Sequence, residues 1–264
     1  MITFANGRAI GYDDVGSGVP VLFLHGFPHN RALWAPQLGA LAVPARTICM
    51  DLRGFGESEP GDHDGVDGYA DDAAVLLDVL GIDRVVLAGL SMGGYASFAF
   101  WRRHRDRVRA LVLCDTRATA DNDTSRAARV EMQAMAIERG SSAVANQMIA
   151  GMIGKTTREK NPELADELHR MMSLAPVIGV VGALNALMTR PDSTPTLATI
   201  DVPTLIVVGD EDVLTPPKDA RAMHLAISGS RLEVIAGAGH VSNLERPATF
   251  NHVLSEFLVS LTAQ

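Results

Sequence analysis

The stretch Gly89-Leu90-Ser91-Met92-Gly93-Gly94 sets a serine in G-x-S-x-G spacing, directly after the apolar run Arg84-Val85-Val86-Leu87-Ala88 and directly before a helix-like segment. A serine on so tight a turn adopts a strained backbone, and small neighbours leave room for it. Its hydroxyl then stands at a helix N-terminus, where free N–H groups and the helix dipole favour a developing anion. The chemistry such a serine performs is attack on a carbonyl carbon, and for that it needs a base. Of the eight histidines, His240 has the best position, in the glycine-rich turn Ala236-Gly237-Ala238-Gly239-His240 just after the run Leu232–Ile235. The base in turn needs a carboxylate to fix its tautomer, and Gly209-Asp210-Glu211-Asp212 follows the run Leu205–Val208. Local pattern alone does not separate these three acids.

To bring such groups together, strands must end near one another. Unalternated apolar runs recur at Val21–Leu24, Arg46–Met50, Val85–Ala88, Ala110–Cys114, Leu205–Val208 and Leu232–Ile235, the pattern of strands buried on both faces of a parallel sheet. Helix-like stretches lie between them, including Tyr69–Leu80, Met92–His104 and Pro217–Ile227. After Pro247, a last helix spaces Phe250, Val253, Leu254, Phe257, Leu258 and Leu261 by threes and fours. Ahead of the runs, Asn6-Gly7 between two short β-like segments predicts an antiparallel hairpin. The expected fold class is therefore α/β, a mostly parallel eight-stranded sheet flanked by helices.

One segment, roughly Ala118 to Asp192, breaks the alternation with helical patterning and no β run. It reads as a helical cap over the carboxyl edge of the sheet, where open α/β sheets bind ligands. Residues 1–117 and 192–264 would then form the core, and 118–191 the cap. The segment holds seven of the eleven methionines, Met132, Met135, Met148, Met152, Met171, Met172 and Met188. These suit either ordinary packing of small helices or a pliable apolar pocket.

The order Ser91, acid, His240, each just past a strand end, is that of the α/β-hydrolases. The chain resembles that superfamily, and within it the lidded group of small carboxylesterases, 3-oxoadipate enol-lactonases and cofactor-free perhydrolases. The resemblance is carried by His25-Gly26-Phe27-Pro28, Asp51-Leu52-Arg53-Gly54-Phe55-Gly56-Glu57-Ser58, Gly89 to Gly94, Gly209 to Pro217, and Gly239-His240 with Glu245-Arg246-Pro247. It implies the α/β-hydrolase fold. It also implies Asp212 as the triad acid, from its place ahead of Val213-Leu214-Thr215-Pro216-Pro217. The oxyanion hole maps to the backbone N–H groups of Phe27 and Met92, since Pro28 has none to offer. Serine at position 91 counts against the dehalogenase and epoxide-hydrolase branches, in which the family pattern has aspartate.

Other conspicuous residues have plainer readings. His25 reads as a hydrogen bond that holds the oxyanion loop, and Asp51 with Arg53, Gly54 and Gly56 as a charge-paired turn. The acidic residues Asp62, Asp64, Asp67, Asp71 and Asp72 fail calcium-loop spacing because Val66 takes the fifth ligand position, and read as a solvated loop and helix start. Arg102, Arg103, Arg105, Arg107 and Arg109 read as a helix C-terminus in solvent rather than a nucleic-acid patch. Cys49 and Cys114, each inside a β-like run, read as buried reduced thiols, and no cluster has zinc spacing.

The net charge of −8 argues against nucleic-acid partners, and 47% hydrophobic residues with only 20% charged exclude a disordered chain. The longest apolar stretch, Ala175–Met188, is interrupted by Pro176, Gly179, Gly182 and Asn185 and is shorter than the ~20 residues of a membrane span. No basic-then-apolar leader opens the sequence, so a cytoplasmic location is expected.

The expected activity is a serine hydrolase acting on a small ester, with no cofactor and no metal: Ser91 as nucleophile, His240 as base and Asp212 as its orienter. The resemblance leaves open an enol-lactonase or a perhydrolase using the same triad, and a hydroxynitrile lyase or a non-catalytic ligand receptor stands behind them. An acidic lactone would require a cation in the pocket, for which Arg117, Arg126, Arg129 and Arg190 are candidates. Replacing the acids one at a time separates them. Asp212→Asn is expected to lower kcat by up to ~10⁴ while Asp210→Asn stays near wild type; the reverse pattern would reassign the acid.

Overall fold

Apolar runs alternate with helices because each strand of a parallel sheet must be covered on both faces. The computed structural model describes residues 1–5, 7–41, 43–61 and 64–262; Asn6 and Asp62, both singled out above, lie outside the described residues. The strands are β1 (Ile2–Ala5), β2 (Arg8–Gly16), β3 (Val19–Leu24), β4 (Ala45–Met50), β5 (Val85–Leu90), β6 (Val108–Cys114), β7 (Thr204–Gly209) and β8 (Arg231–Ile235). They form one eight-stranded sheet in the order β1-β2-β4-β3-β5-β6-β7-β8. Only the β1–β2 hairpin and the β2–β4 pairing are antiparallel; the register Ala5↔Arg8 closes the hairpin. All six apolar runs became parallel strands.

Side-chain alternation divides the core in two. Along β5, Val85 and Leu87 join one hydrophobic cluster while Val86, Ala88 and Leu90 join the other. The first cluster is covered by α1 (Gly65–Val79), α2 (Met92–His104) and, further along the chain, α9 (Pro217–Ala226). The second is closed mainly by the last helix, α11 (Pro247–Ser260), through Phe250, Val253, Leu254, Phe257 and Leu258. Cys49 and Cys114 are free thiols buried in this second cluster.

Between β6 and β7 the chain inserts α3 (Asp123–Arg139), α4 (Ser141–Met152), α5 (Lys155–Lys160), α6 (Pro162–Ser173) and α7 (Val177–Thr189), followed by the short α8 (Thr194–Leu197). The apolar stretch noted above forms most of α7, with Val180, Ala183, Leu184, Ala186 and Leu187 buried in the core. No single helix among the described residues is long and apolar enough to cross a membrane; α6 and α7 pass that test only jointly, and they meet at 95°. One more short helix, α10 (Ser242–Glu245), precedes α11.

Two expectations about charge are corrected. Asp51 is paired with Arg31, not with Arg53: its carboxylate accepts the Arg31 amide at 2.7 Å and the Glu57 amide at 2.9 Å and meets the Arg31 guanidinium. Arg53 turns the other way, to Asp72 of α1 at 2.7 Å, because α1 packs beneath that loop. Nor do the acidic and basic runs each face solvent alone. Asp71 on α1 accepts from Arg103 and contacts His104 of α2, both at 2.8 Å, while Arg105 reaches Asp201 and Arg107 caps the carbonyls of Ile82 and Asp83. Each exposed pair contributes little, but together they match the α1 surface to the α2 C-terminus.

Where the insertion meets the core, helix α7 lies on the loop after β4. A Cβ on Gly179 would stand 1.9 Å from the Gly54 carbonyl oxygen, and Gly54 itself has φ +81°. Neither backbone can withdraw without unpacking its neighbours. Gly179→Ala is therefore expected to destabilise the fold by about 1–3 kcal/mol, read as a lower urea midpoint at unchanged slope; an unaltered midpoint would show that this contact gives way freely.

Candidate active site

Ser91 occupies the turn between β5 and α2 with φ 54° and ψ −109°, a left-handed conformation costing about 1–3 kcal/mol for a non-glycine residue. Four hydrogen bonds hold it there. Its amide donates to the Cys114 carbonyl at 2.9 Å, and its carbonyl accepts from Gly94 N, Tyr95 N and Thr116 Oγ1 at 2.9, 3.2 and 2.8 Å. The turn can be this tight only with glycine at 93, where a Cβ would stand 2.1 Å from the Leu24 carbonyl oxygen. Met92 is the first residue of α2, so its amide has no acceptor within the helix.

At the end of β7 the three acids diverge. Asp210 accepts the Gly237 amide at 2.7 Å, and Glu211 accepts the Thr156 amide of α5 at 2.8 Å. Asp212 is buried, and its Oδ2 lies 2.9 Å from His240 Nδ1. The same carboxylate accepts from Leu214 N, Thr215 N and Thr215 Oγ1 at 2.8, 3.0 and 2.7 Å. Burial pushes the Asp212 carboxyl upward, but His240 and these donors outweigh it and hold the group below the usual carboxylate range. Facing a carboxylate, Nδ1 carries the ring proton and Nε2 is left basic. Burial disfavours the imidazolium, yet Asp212 and Asp115 outweigh it, and the His240 pKa stands above its ordinary 6.5.

Asp115 was missed by sequence reasoning. It follows β6 with φ 44°, is fully buried, and accepts from Gly209 N at 2.9 Å and Ser242 Oγ at 2.6 Å. Burial first, then the nearby Asp212, pushes its carboxyl well above the ordinary range. It thus ties the ends of β6 and β7 to the chain just past His240. An aspartate after a strand has no pattern of its own, and only the fold shows what surrounds it.

His25 bridges two loops as a neutral ring, donating from Nδ1 to the Gly26 carbonyl at 2.8 Å and accepting the Leu52 amide on Nε2 at 3.0 Å. Phe27 packs edge-on against Phe55, whereas Trp34 lies away from this loop, between Phe23 and Phe250. His29 is buried with neither ring nitrogen hydrogen-bonded among the described residues. Burial, with His25 and His240 nearby, pushes its pKa down to about 3, so it stays neutral.

Ser91, His240, Phe27 and Met92 line one cavity of about 270 Å³, at the lower end of ligand-site sizes. Its remaining wall comes from the core through Tyr95, Arg117, Leu214 and Thr215, and from α3, α4 and α7 of the insertion. Of the seven methionines there, Met132, Met148 and Met152 face the cavity and Met172 is buried in the core. Of the four candidate arginines, Arg117 and Arg129 line it, Arg126 turns outward to Asp123 and the Met188 carbonyl, and Arg190 lies buried over the Tyr95 ring. The insertion also touches the histidine turn itself: His240 N donates to the Met152 carbonyl at 3.1 Å, and Glu245 accepts from both Gly154 N and Gly239 N at 2.9 and 2.7 Å.

Two solved structures share this architecture over nearly their whole length, and a third protein aligns with the chain in sequence. A thermophilic esterase from Thermogutta terrifontis, solved with malate bound, is 37% identical and superposes with a TM-score of 0.94, covering 98% of this chain and 97% of its own. The enol-lactonase from Burkholderia xenovorans LB400 is 27% identical with a TM-score of 0.91, covering 98% and 100%. In sequence, 3-oxoadipate enol-lactonase 1 of Acinetobacter baylyi is 28% identical over 99% of this chain and 97% of its own. Residues 19–247 match the family described as the alpha/beta hydrolase fold. With that match joined to the sheet order and the helical insertion, the chain belongs to the α/β-hydrolase superfamily, near its esterases and enol-lactonases.

Proposed function

We propose that the protein is a serine hydrolase of small carboxylic esters. The observation that carries this reading is a strained serine at a helix N-terminus sharing one cavity wall with a histidine whose Nδ1 lies 2.9 Å from a buried carboxylate. Ser91 Oγ attacks the ester carbonyl carbon as His240 Nε2 takes its proton, and the tetrahedral oxyanion is met by the Phe27 and Met92 N–H groups. Collapse expels the alcohol, which leaves with the proton held by His240. Water then attacks the acyl-serine, its proton passing through His240 back to Ser91 Oγ, and a carboxylic acid departs. Asp212 orients the ring and stabilises the imidazolium throughout, and the insertion, taken as residues 118–191, acts as the cap that shapes the acyl pocket.

A second reading, lactone hydrolysis, follows the same steps, since a lactone is an ester closed on itself. The two relatives named as enol-lactonases favour it.

Hydrolysis of p-nitrophenyl esters from C2 to C12 by wild type and Ser91→Ala tests the assignment. Wild type is expected to prefer short chains, as the small cavity requires, and Ser91→Ala to lose on the order of 10⁶ in kcat. Wild-type turnover by Ser91→Ala would remove the nucleophile. The pH profile gives a second check. The neutral imidazole is the base, so activity is lost as pH falls through the raised His240 pKa, and the acid limb of kcat/KM is expected above 6.5. A limb below 6.5 would contradict the geometry around His240.

A further inference from the structure

Seven of the eleven methionines lie in the insertion, and neither the proton relay nor the oxyanion hole has a use for them. Three of these, Met132, Met148 and Met152, line the cavity that holds Ser91 and His240. As packing, a thioether does little that leucine cannot; what sets it apart is a sulfur that can be oxidised and reduced again. We propose that Met148 is a reversible oxidation site at the mouth of the cavity, through which hydrogen peroxide alters the acyl groups the protein accepts. The oxidation needs no nucleophilic serine; its effect on turnover rests on the reading of the cavity as an ester site.

Burial singles Met148 out. Met132 and Met152 are only 9% and 1% exposed, and Met92 beside the serine is fully buried. Met148 is half-buried, and its neighbours on α4 mark where the cavity opens: Gln147 is exposed, Gly151 is half-buried, and all three line it. Across that opening stands Leu214, which a Cβ on Gly151 would meet at 3.3 Å. A small oxidant entering there meets Met148 before the two buried sulfurs. Met1, Met135, Met171 and Met188 are also incompletely buried, but none of them lines this cavity, so their oxidation leaves its wall unchanged. Cys49 and Cys114 are enclosed in the core, where burial pushes each thiol up, away from the thiolate form that reacts with peroxide.

The step is an oxygen-atom transfer. The Met148 sulfur attacks one peroxide oxygen, the O–O bond breaks, and the second oxygen leaves as water with both protons; sulfur loses two electrons and peroxide gains them. A methionine sulfoxide reductase supplied with a dithiol reverses it, releasing the oxygen as water and leaving a disulfide. The side chain keeps its length but gains a strong hydrogen-bond acceptor. Met148 packs at the edge of both apolar clusters, and Met132, Met152, Leu187 and Leu214 share the wall with it. An apolar acyl chain laid against the new oxygen would leave it unpaired, so longer acyl groups bind less well. An acetyl group, whose single methyl stays beside Ser91, is affected least.

Two measurements separate the site from its consequence. In the first, Ser91→Ala protein is treated with graded hydrogen peroxide, quenched with catalase and mapped by peptide mass. Sulfoxide is expected at Met148 and the other incompletely buried methionines before any forms at Met132 or Met152. Met148 left unmodified when Met135, Met171 and Met188 are fully converted overturns the site. In the second, wild type treated in the same way is assayed on p-nitrophenyl hexanoate and acetate against its own untreated sample. The hexanoate-to-acetate ratio of kcat/KM is expected to fall about 10-fold, and to return after incubation with methionine sulfoxide reductases A and B and dithiothreitol. In Met148→Leu, judged against its own untreated sample, the ratio is expected to hold, whereas protein carrying Met135→Leu, Met171→Leu and Met188→Leu together responds like wild type. An equal fall in Met148→Leu, or no fall in wild type, overturns the proposal. Met148 sulfoxide in a protein that cleaves neither ester before treatment upholds the oxidation site and removes the ester reading instead.

Discussion

Three ionisable side chains, Asp115, Asp212 and His240, are buried side by side at the carboxyl edge of the sheet, and removing charge from water is costly. Much of the surrounding structure is the compensation. Asp212 takes two backbone amides, a hydroxyl and an imidazole, and Asp115 takes an amide from β7 and the hydroxyl of Ser242. The donors come from two places, the end of β7 with the turn after it (Gly209, Leu214, Thr215) and the turn after β8 (His240, Ser242). The loops after β6, β7 and β8 are therefore fixed relative to one another by hydrogen bonds to carboxyl groups rather than by apolar packing alone.

Backbone strain collects at the same edge. Ser91 and Asp115, the two non-glycine residues with positive φ among the described residues, follow the neighbouring strands β5 and β6, and the Ser91 amide is held by the carbonyl just before Asp115. Strain of this kind persists only where the surroundings over-determine it. Here the parallel pairing of β5 with β6 does so, which is why the strained Ser91 turn is anchored to two buried central strands.

Almost all of the sheet was legible in the sequence because strands buried on both faces are written as uninterrupted apolar runs, and the serine turn because its glycines are imposed by backbone contact. The proposed triad acid was singled out only through family position: Asp210, Glu211 and Asp212 are adjacent, and what distinguishes them is a histidine 28 residues further on for one, a threonine of α5 for another and the Gly237 amide for the third. Asp115 was invisible for a related reason, since its partners lie 94 and 127 residues away. The pairing of acidic α1 with basic α2 likewise depends on how two helices are laid side by side, and charge runs read one at a time cannot show that. The arginines of the cavity fall between these cases. Four were candidates by type, and the course of the loop after β6, for Arg117, and the orientation of α3, for Arg129, decided which two line it.

The bond from His240 N to the Met152 carbonyl, with Glu245 spanning Gly154 and Gly239, makes one stretch of the insertion a structural part of the histidine turn. An exchange of whole insertions between relatives would therefore carry away the acceptor beneath the imidazole along with the pocket wall. For chimaera design, the natural seam lies within the inserted helices, on the α3 side of Met152, and residues 152–156 are better inherited with the turn they hold.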